Sequence, residues 1–263
     1  MKLSNEAGFT IIETMLFLGI TGLLVMGVLI GTGTSINAQR YRDSVSSLQA
    51  VLQQQYSDVA NVSNDTLNNT CYGDATPTNH LRGQSDCVVL GRFITTNNIG
   101  CFGININNVC NLSIKIVLGF TPPGSVASLD DVSIFKKNTT PTPTGYNIMV
   151  LPDSPTNTMN TTYGLEWGAS IVDTHNNAKV FSMLILRSPI SGTLRTFISP
   201  DTSSVVADHD VQTLLTVAAL TINEVNVCIS SNGLFTGSRS AVIVKPNTTD
   251  ASGVETKENG SGC

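Results

Sequence analysis

The chain has 263 residues and six cysteines, which is enough for one sizeable domain and a membrane anchor. Only 13% of its residues are charged, and its formal net charge is −5. The few lysines and arginines argue against a nucleic-acid groove, because such a groove needs clustered positive charge.

A short polar leader, residues 1–8, precedes an apolar run. Residues 9–31 contain one ionisable side chain, that of Glu13. At about 1.5 Å per residue, a helix of this length crosses the ~30 Å hydrocarbon core of a bilayer. A carboxylate costs about 2.5–3.5 kcal/mol at the centre of such a helix and less near its end, so an isolated Glu13 indicates a function. We therefore expect residues 9–31 to form a transmembrane helix.

The helix is predicted to continue to about Ala60, because no proline occurs before Pro77. Beyond the apolar run, large side chains recur every three or four residues: Tyr41, Val45, Leu48, Leu52, Tyr56 and Val59. Polar residues occupy the other faces: Arg40, Asp43, Gln53, Gln54 and Asp58. Residues 32–60 are thus an amphipathic continuation whose apolar stripe is expected to pack on a globular domain.

Residues 61–263 are predicted to form that domain, outside the membrane. Short runs rich in β-branched residues predict strands at 87–95, 112–120, 132–136, 146–151, 165–172, 180–186, 195–198, 226–230 and 240–244. Turn sequences such as Ser191-Gly192 and Asn232-Gly233 separate them. The segment 211–220 fits either a short helix or a strand. The expected fold class is α+β, with one long amino-terminal helix on a mostly antiparallel sheet.

The six cysteines all follow the apolar helix: Cys71, Cys87, Cys101, Cys110, Cys228 and Cys263. Their even number favours disulfides in an oxidising, extracytoplasmic space over free core thiols. Proximity in sequence favours Cys101 with Cys110 and Cys71 with Cys87, leaving Cys228 with Cys263. That last bond would hold the polar tail 248–262, which has no apolar stripe to dock it. A free Cys263, or one bonded to another subunit, is the alternative.

Sequence patterns for catalysis are weak. The three histidines, His80, His175 and His209, are scattered, and Cys-x-x-Cys is absent, so we expect no metal site. Ser133 and Lys136 match Ser-x-x-Lys without the partner motifs of acyl-enzymes, and Asp208-His209-Asp210 lacks a nucleophile. We expect neither an enzyme nor a cofactor.

The junction between leader and helix reads Gly8-Phe9-Thr10-Ile11-Ile12-Glu13. It resembles the processing site of type IV prepilins and type II secretion pseudopilins. The resemblance implies cleavage between Gly8 and Phe9 by a prepilin peptidase, and N-methylation of Phe9. It also implies that Glu13 pairs with the terminal amine of a neighbouring subunit during assembly. A conventional export signal has a shorter apolar core, and the small-residue site Ile36-Asn37-Ala38 is weak.

The carboxy-terminal hairpin is similar to that of H-type minor pseudopilins and minor pilins. Its strands contain Cys228 and residues 240–244, with Arg239 opening the last strand, although the usual subunit of this type is smaller. The resemblance implies a single-pass protein of the cytoplasmic membrane that enters a cell-surface fimbrium or a periplasmic secretion pseudopilus with other subunits. The alternatives are a filament-tip adhesin for a surface receptor, a DNA-uptake module, which the few cations disfavour, and a plain membrane-anchored binding domain.

Overall fold

The computed structural model describes the long helix and strands in two sheets. It covers residues 10–61, 87–96, 111–120, 147–151, 160–172, 180–188, 191–199, 211, 214–215, 224–231, 239–245, 248–257 and 263. Outside these described residues lie Gly8, Phe9, Cys71, Cys101, Cys110, the three histidines, the predicted strand 132–136 and the side chain of Cys87.

Helix α1 (Ile11–Ala60) is a continuous helix of 50 residues, in agreement with the predicted extent. Thr10 caps its start, because the threonine hydroxyl accepts a hydrogen bond from the backbone N–H of Glu13 (3.3 Å). At the other end, the guanidinium of Arg187 donates to the carbonyl of Ala60 (3.1 Å). A cation at this position also interacts favourably with the helix dipole.

Six strands form the larger sheet, and all of their pairings are antiparallel. They are β1 (Cys87–Thr96), β2 (Asn111–Phe120), β3 (Asn147–Val150), β4 (Thr161–Gly164), β6 (Ser182–Arg187) and β7 (Leu194–Ile198). The order is β3-β2-β1-β6-β7, and β4 also pairs with β2. The β1–β2 register shifts between Val89 and Gly91. A Cβ at Gly91 would come within 1.9 Å of the carbonyl oxygen of Ile185, so only glycine fits there.

The smaller sheet has four strands, also antiparallel. They are β5 (Ser170–Val172), β8 (Val225–Ser230), β9 (Ser240–Val244) and β10 (Val254–Lys257), in the order β10-β9-β8-β5. The predicted carboxy-terminal hairpin is the β8–β9 pair. The fold is therefore α+β with a long amino-terminal helix on antiparallel sheets, which confirms the predicted class.

One apolar core joins α1 to both sheets. All six residues of the predicted stripe are buried in it: Tyr41, Val45, Leu48, Leu52, Tyr56 and Val59. They share this core with Ile94 of β1 and Val242 of β9. Phe93 belongs to a second core, which therefore lies on the opposite face of the larger sheet, because successive side chains of a strand point to opposite faces. The predicted stripe is confirmed, and it holds the two sheets on one helix.

The structure differs from the predicted strands at two places. Residues 165–172 were expected to be one strand, but Glu166–Gly168 form a 3-10 turn and only Ser170–Val172 pair. Trp167 in this turn has φ 57°, a left-handed conformation that a strand cannot contain. Strand β4 was not predicted, because Thr161-Thr162-Tyr163-Gly164 is short and follows a polar segment.

The carboxy-terminal tail, which has no apolar stripe to dock it, was expected to be held by a disulfide alone, and this was wrong. Val254 is fully buried in the main core, and Val254–Lys257 pair with β9 as an additional edge strand. Thr248 is also buried. The strand opened by Arg239 is accordingly not the last of the sheet. One apolar residue among polar ones left no periodic pattern in the sequence, yet the segment is docked by that residue and by its pairing with β9.

Candidate functional site: the exposed half of the long helix

The amino-terminal half of α1 contacts no other described part of the chain. Its large apolar side chains are mostly exposed, from 77% for Ile12 to 49% for Ile36. Between these lie Met15, Leu16, Phe17, Leu18, Ile20, Leu23, Leu24, Val25, Met26, Val28, Leu29 and Ile30. The segment is long and apolar enough to cross a membrane, and its most apolar window is not buried at all. We call residues 11–36 the exposed segment.

The threonine hydroxyl groups of the exposed segment are satisfied within the helix itself. Each threonine donates to a backbone carbonyl one turn earlier: Thr14 to Ile11 (2.9 Å), Thr21 to Phe17 (2.8 Å), Thr32 to Leu29 (3.1 Å) and Thr34 to Gly31 (3.0 Å). An unpaired hydroxyl costs several kcal/mol in hydrocarbon, whereas these internal bonds remove that penalty. The surface therefore suits an apolar environment along its length.

Glu13 is the ionisable side chain within the exposed segment, and it occupies the third helical position. Its backbone N–H donates to Thr10, so Thr10 and Glu13 have the spacing of a capping box. A carboxylate in the first turn is also stabilised by the helix dipole. Glu13 was assigned to assembly on the resemblance alone, and the capping-box spacing Thr-x-x-Glu was not noted, although it was readable in the sequence. Phe9 lies outside the described residues, so the proposed pairing is not tested by the geometry.

Tyr41 marks the point where α1 reaches the domain. Its hydroxyl donates to the carbonyl of Ile229 (2.8 Å) and accepts from the N–H of Ser240 (2.7 Å). These two residues face each other across β8 and β9. The phenol is buried and thus links the helix directly to the predicted carboxy-terminal hairpin.

Three further residues of α1 form hydrogen bonds that fix its buried half. Tyr56 Oη lies 2.9 Å from Thr196 Oγ1, and Thr196 Oγ1 donates to the carbonyl of Thr248 (2.9 Å). Since a threonine hydroxyl has one proton, Tyr56 is the donor in the first of these bonds. Burial raises the pKa of Tyr56 well above its ordinary value. The side chains of Gln49 and Gln53 both donate to the carbonyl of Val254 (3.1 and 2.9 Å), one helical turn apart.

A disulfide joins Cys228 of β8 to Cys263, with their Cα atoms 5.5 Å apart. This is the pair that proximity left after the other four cysteines were matched. The guanidinium of Arg239 also donates to the carbonyl of Cys263 (2.9 Å). The carboxy-terminal residue is therefore held beside the hairpin by a covalent bond and a hydrogen bond.

The geometry separates the predicted site residues. Glu13 lies at the far end of the exposed segment, whereas Cys228, Cys263 and Arg239 belong to the domain at its other end. The cleavage and methylation residues, Gly8 and Phe9, lie outside the described residues. Comparison with protein-family models, with curated proteins and with solved structures finds no significant match for this chain.

Proposed function

We propose that this chain is a structural subunit, a minor pilin or pseudopilin, of a type IV pilus or a type II secretion pseudopilus. The observation that carries the proposal is the division of α1. One half buries its apolar stripe in the domain. The other half exposes large apolar side chains along its length and carries the carboxylate of Glu13 in its first turn. A helix of this form is suited first to a membrane and then to the core of a filament.

The free energy of removing apolar side chains from water favours a state in which the exposed segment is covered. Fourteen large apolar side chains are exposed between Ile11 and Ile30. At about 1.5 kcal/mol for each side chain removed from water, covering them contributes ~20 kcal/mol. That exceeds the ~5–15 kcal/mol that stabilises a typical domain, so we expect the exposed segment to be removed from water. Lipid, or the same helices of neighbouring subunits, is the environment that fits.

Assembly proceeds, in this proposal, without catalysis by the chain. A prepilin peptidase cuts between Gly8 and Phe9, and the Phe9 amine stays positively charged after methylation. Glu13 of an incoming subunit meets that amine in a region of low dielectric constant, where their attraction offsets the burial of both charges. The pair sets the register between subunits while the apolar surfaces supply the free energy of packing.

A plain membrane-anchored domain would have an equally exposed helix. The pilin proposal is favoured by the short leader, the Gly8–Phe9 junction and the offset of Glu13, since a plain anchor needs none of them. A charged residue in a spanning helix is costly and is retained only where it acts. Adhesin and DNA-uptake roles remain compatible with such a subunit and would be found by binding assays on assembled filaments.

Mass spectrometry of the mature amino terminus tests the proposal. We expect protein from membranes and filaments to begin with N-methylated Phe9, and Gly8→Leu to leave the leader uncut. Ser4→Leu, also in the leader but away from the junction, is the control and should be processed normally. An intact Met1 in assembled filaments, or processing of Gly8→Leu at the normal rate, would contradict the proposal.

A further inference from the structure

An arginine and a tryptophan contact each other where α1 leaves the domain. The guanidinium carbon of Arg40 lies 4.8 Å from the centroid of the Trp167 ring, within cation–π distance. Trp167 is 48% exposed, and Arg40 is exposed as well. Among the described residues, Arg40 forms no ion pair. We call Arg40 and Trp167 the Arg–Trp corner.

The backbone of the corner makes a left-handed turn between two buried core residues, Leu165 and Ala169. Trp167 has φ 57° and is followed by Gly168 at φ 71°. A left-handed conformation is unfavourable for a bulky residue and is retained mostly where it has a use. Here it turns a large aromatic ring outward instead of into the core, in a 3-10 turn that packs against α1.

The position of the corner along the axis of α1 can be compared with the boundary of a bilayer that the helix spans. A span of about 20 residues that leaves Glu13 at one boundary ends near Gly33. Helical side chains lean towards the amino terminus, so Arg40 covers the turn around Ile36 and Asn37. That turn lies about 5 Å beyond Gly33, at 1.5 Å per residue. The headgroup layer is itself about 5–7 Å thick, so the corner and the layer coincide.

We propose that the Arg–Trp corner docks in the lipid headgroup layer of the membrane that α1 spans. Tryptophan is favoured at this depth because its ring is apolar and its N–H is polar. The Arg40 guanidinium is suited to bidentate contact with lipid phosphate while it stacks on the ring. The corner thus holds the domain against the bilayer before assembly. This inference rests on the membrane-inserted helix of the proposed function, but not on its pilin identity.

Trp167 is the only tryptophan of the chain, so its fluorescence reports on the corner alone. The full chain is reconstituted in vesicles of phosphatidylcholine and phosphatidylglycerol, with bromine on shallow or on deep acyl positions in separate preparations. We expect blue-shifted emission, loss of emission with shallow bromine, a smaller loss with deep bromine, and protection from aqueous iodide. Arg40→Ala should weaken the shallow quenching, whereas Arg42→Ala, on the opposite side of α1, should not.

Flotation of the same vesicles separates the possible failures. Protein that does not float overturns both the membrane step of the proposed function and this inference. Protein that floats, yet shows no bromine quenching and full iodide quenching, overturns this inference alone. Emission that shifts only when subunits assemble would assign the corner to a neighbouring subunit and would also overturn it. Unchanged shallow quenching in Arg40→Ala would overturn the role given to the guanidinium.

Discussion

Two roles can be tested for Glu13, and a single substitution separates them. It is the third residue of α1, where Thr10 and Glu13 have capping-box spacing, and it is the charge of the exposed segment. Glutamine satisfies a capping box as glutamate does but has no charge. Local helix capping and pairing with a neighbour's amine therefore predict different behaviour for Glu13→Gln.

We predict that Glu13→Ala and Glu13→Gln both insert in the membrane at least as well as the wild-type chain, because each removes a charge. Both should nevertheless enter filaments poorly, since neither can pair with the Phe9 amine. Membrane fractionation and quantification of the subunit in sheared filaments measure the two steps. Wild-type assembly of Glu13→Gln together with poor assembly of Glu13→Ala would assign Glu13 to capping instead.

Tyr56 illustrates how burial makes stability depend on pH. Its hydroxyl donates to Thr196 in the core, and burial raises its pKa above the ordinary value of 10.0. The folded chain therefore keeps a proton that the unfolded chain releases above pH ~10. The stabilising contribution is complete below the unfolded pKa and is lost as the pH rises beyond it.

We predict that the free energy of unfolding of the wild-type chain falls as the pH rises above about 10, by up to ~1.4 kcal/mol per pH unit for this one group. Tyr56→Phe should show a shallower decline. At neutral pH it should lose about 0.5–1.5 kcal/mol, the net contribution of one hydrogen bond. Urea unfolding in detergent at several pH values measures both, and equal slopes for the two proteins would contradict the assignment.

At the scale of the element, α1 is one helix in two environments. Leu48 is fully buried among both sheets, whereas Leu23 is 74% exposed. The backbone conformation and the residue type are the same at both positions. Any difference between substitutions there must come from what surrounds the side chain.

We predict that Leu48→Ala lowers the free energy of unfolding of the domain by about 2–5 kcal/mol, because it leaves a cavity in the main core. Leu23→Ala should change it by less than ~0.5 kcal/mol, as expected for an exposed position. For assembly we expect the opposite order: Leu23→Ala should lower filament yield more than Leu48→Ala, because it weakens subunit packing. Urea unfolding and filament yield measure the two properties. Equal loss of domain stability in both variants would refute the division of the helix.

At the scale of the whole molecule, the middle of α1 and Cys263 are both tied to one hairpin. Tyr41 brings α1 to β8 and β9, and Cys228 binds Cys263 to the same strand β8. Gln49 and Gln53 also hold the carbonyl of Val254, which lies in the edge strand β10. The smaller sheet therefore connects the amino-terminal helix to the carboxy-terminal segment.

We predict that the double variant Cys228→Ser/Cys263→Ser loses up to about 3–4 kcal/mol of unfolding free energy, the chain-entropy value for a loop of about 35 residues. Strand β10 should remain paired, because Val254 and its hydrogen bonds do not depend on the disulfide. Urea unfolding measures the loss, and hydrogen exchange measures the pairing. Cys263 found joined to another cysteine by non-reducing peptide mapping would reject the bond.

Several features could be predicted because they depend on periodic patterns. The buried stripe of the helix repeats every three or four residues, and the hairpin strands are runs rich in β-branched residues, of which Ser240–Val244 matched its predicted bounds. Strand β10 could not be found in this way, since it buries Val254 and exposes the next three residues. The prediction of a strand across Trp167 was wrong for a related reason. Its apolar neighbours gave a strand pattern, while its left-handed backbone is visible only in three dimensions.

The apolar run and the six cysteines are local facts of composition and spacing, and they were sufficient to predict a spanning helix and a disulfide-containing domain, whereas the assembly role of Glu13 was predicted from the resemblance of the junction at residues 8–13 to prepilins. Partners distant in the chain were not predictable in this way. The contact of Tyr41 with Ile229 and Ser240, the hold of Gln49 and Gln53 on Val254, and the stacking of Arg40 on Trp167 join residues more than a hundred positions apart. Their formation depends on how two sheets pack on one helix, because hydrogen bonds and ring contacts require distances of a few ångströms that no sequence spacing sets.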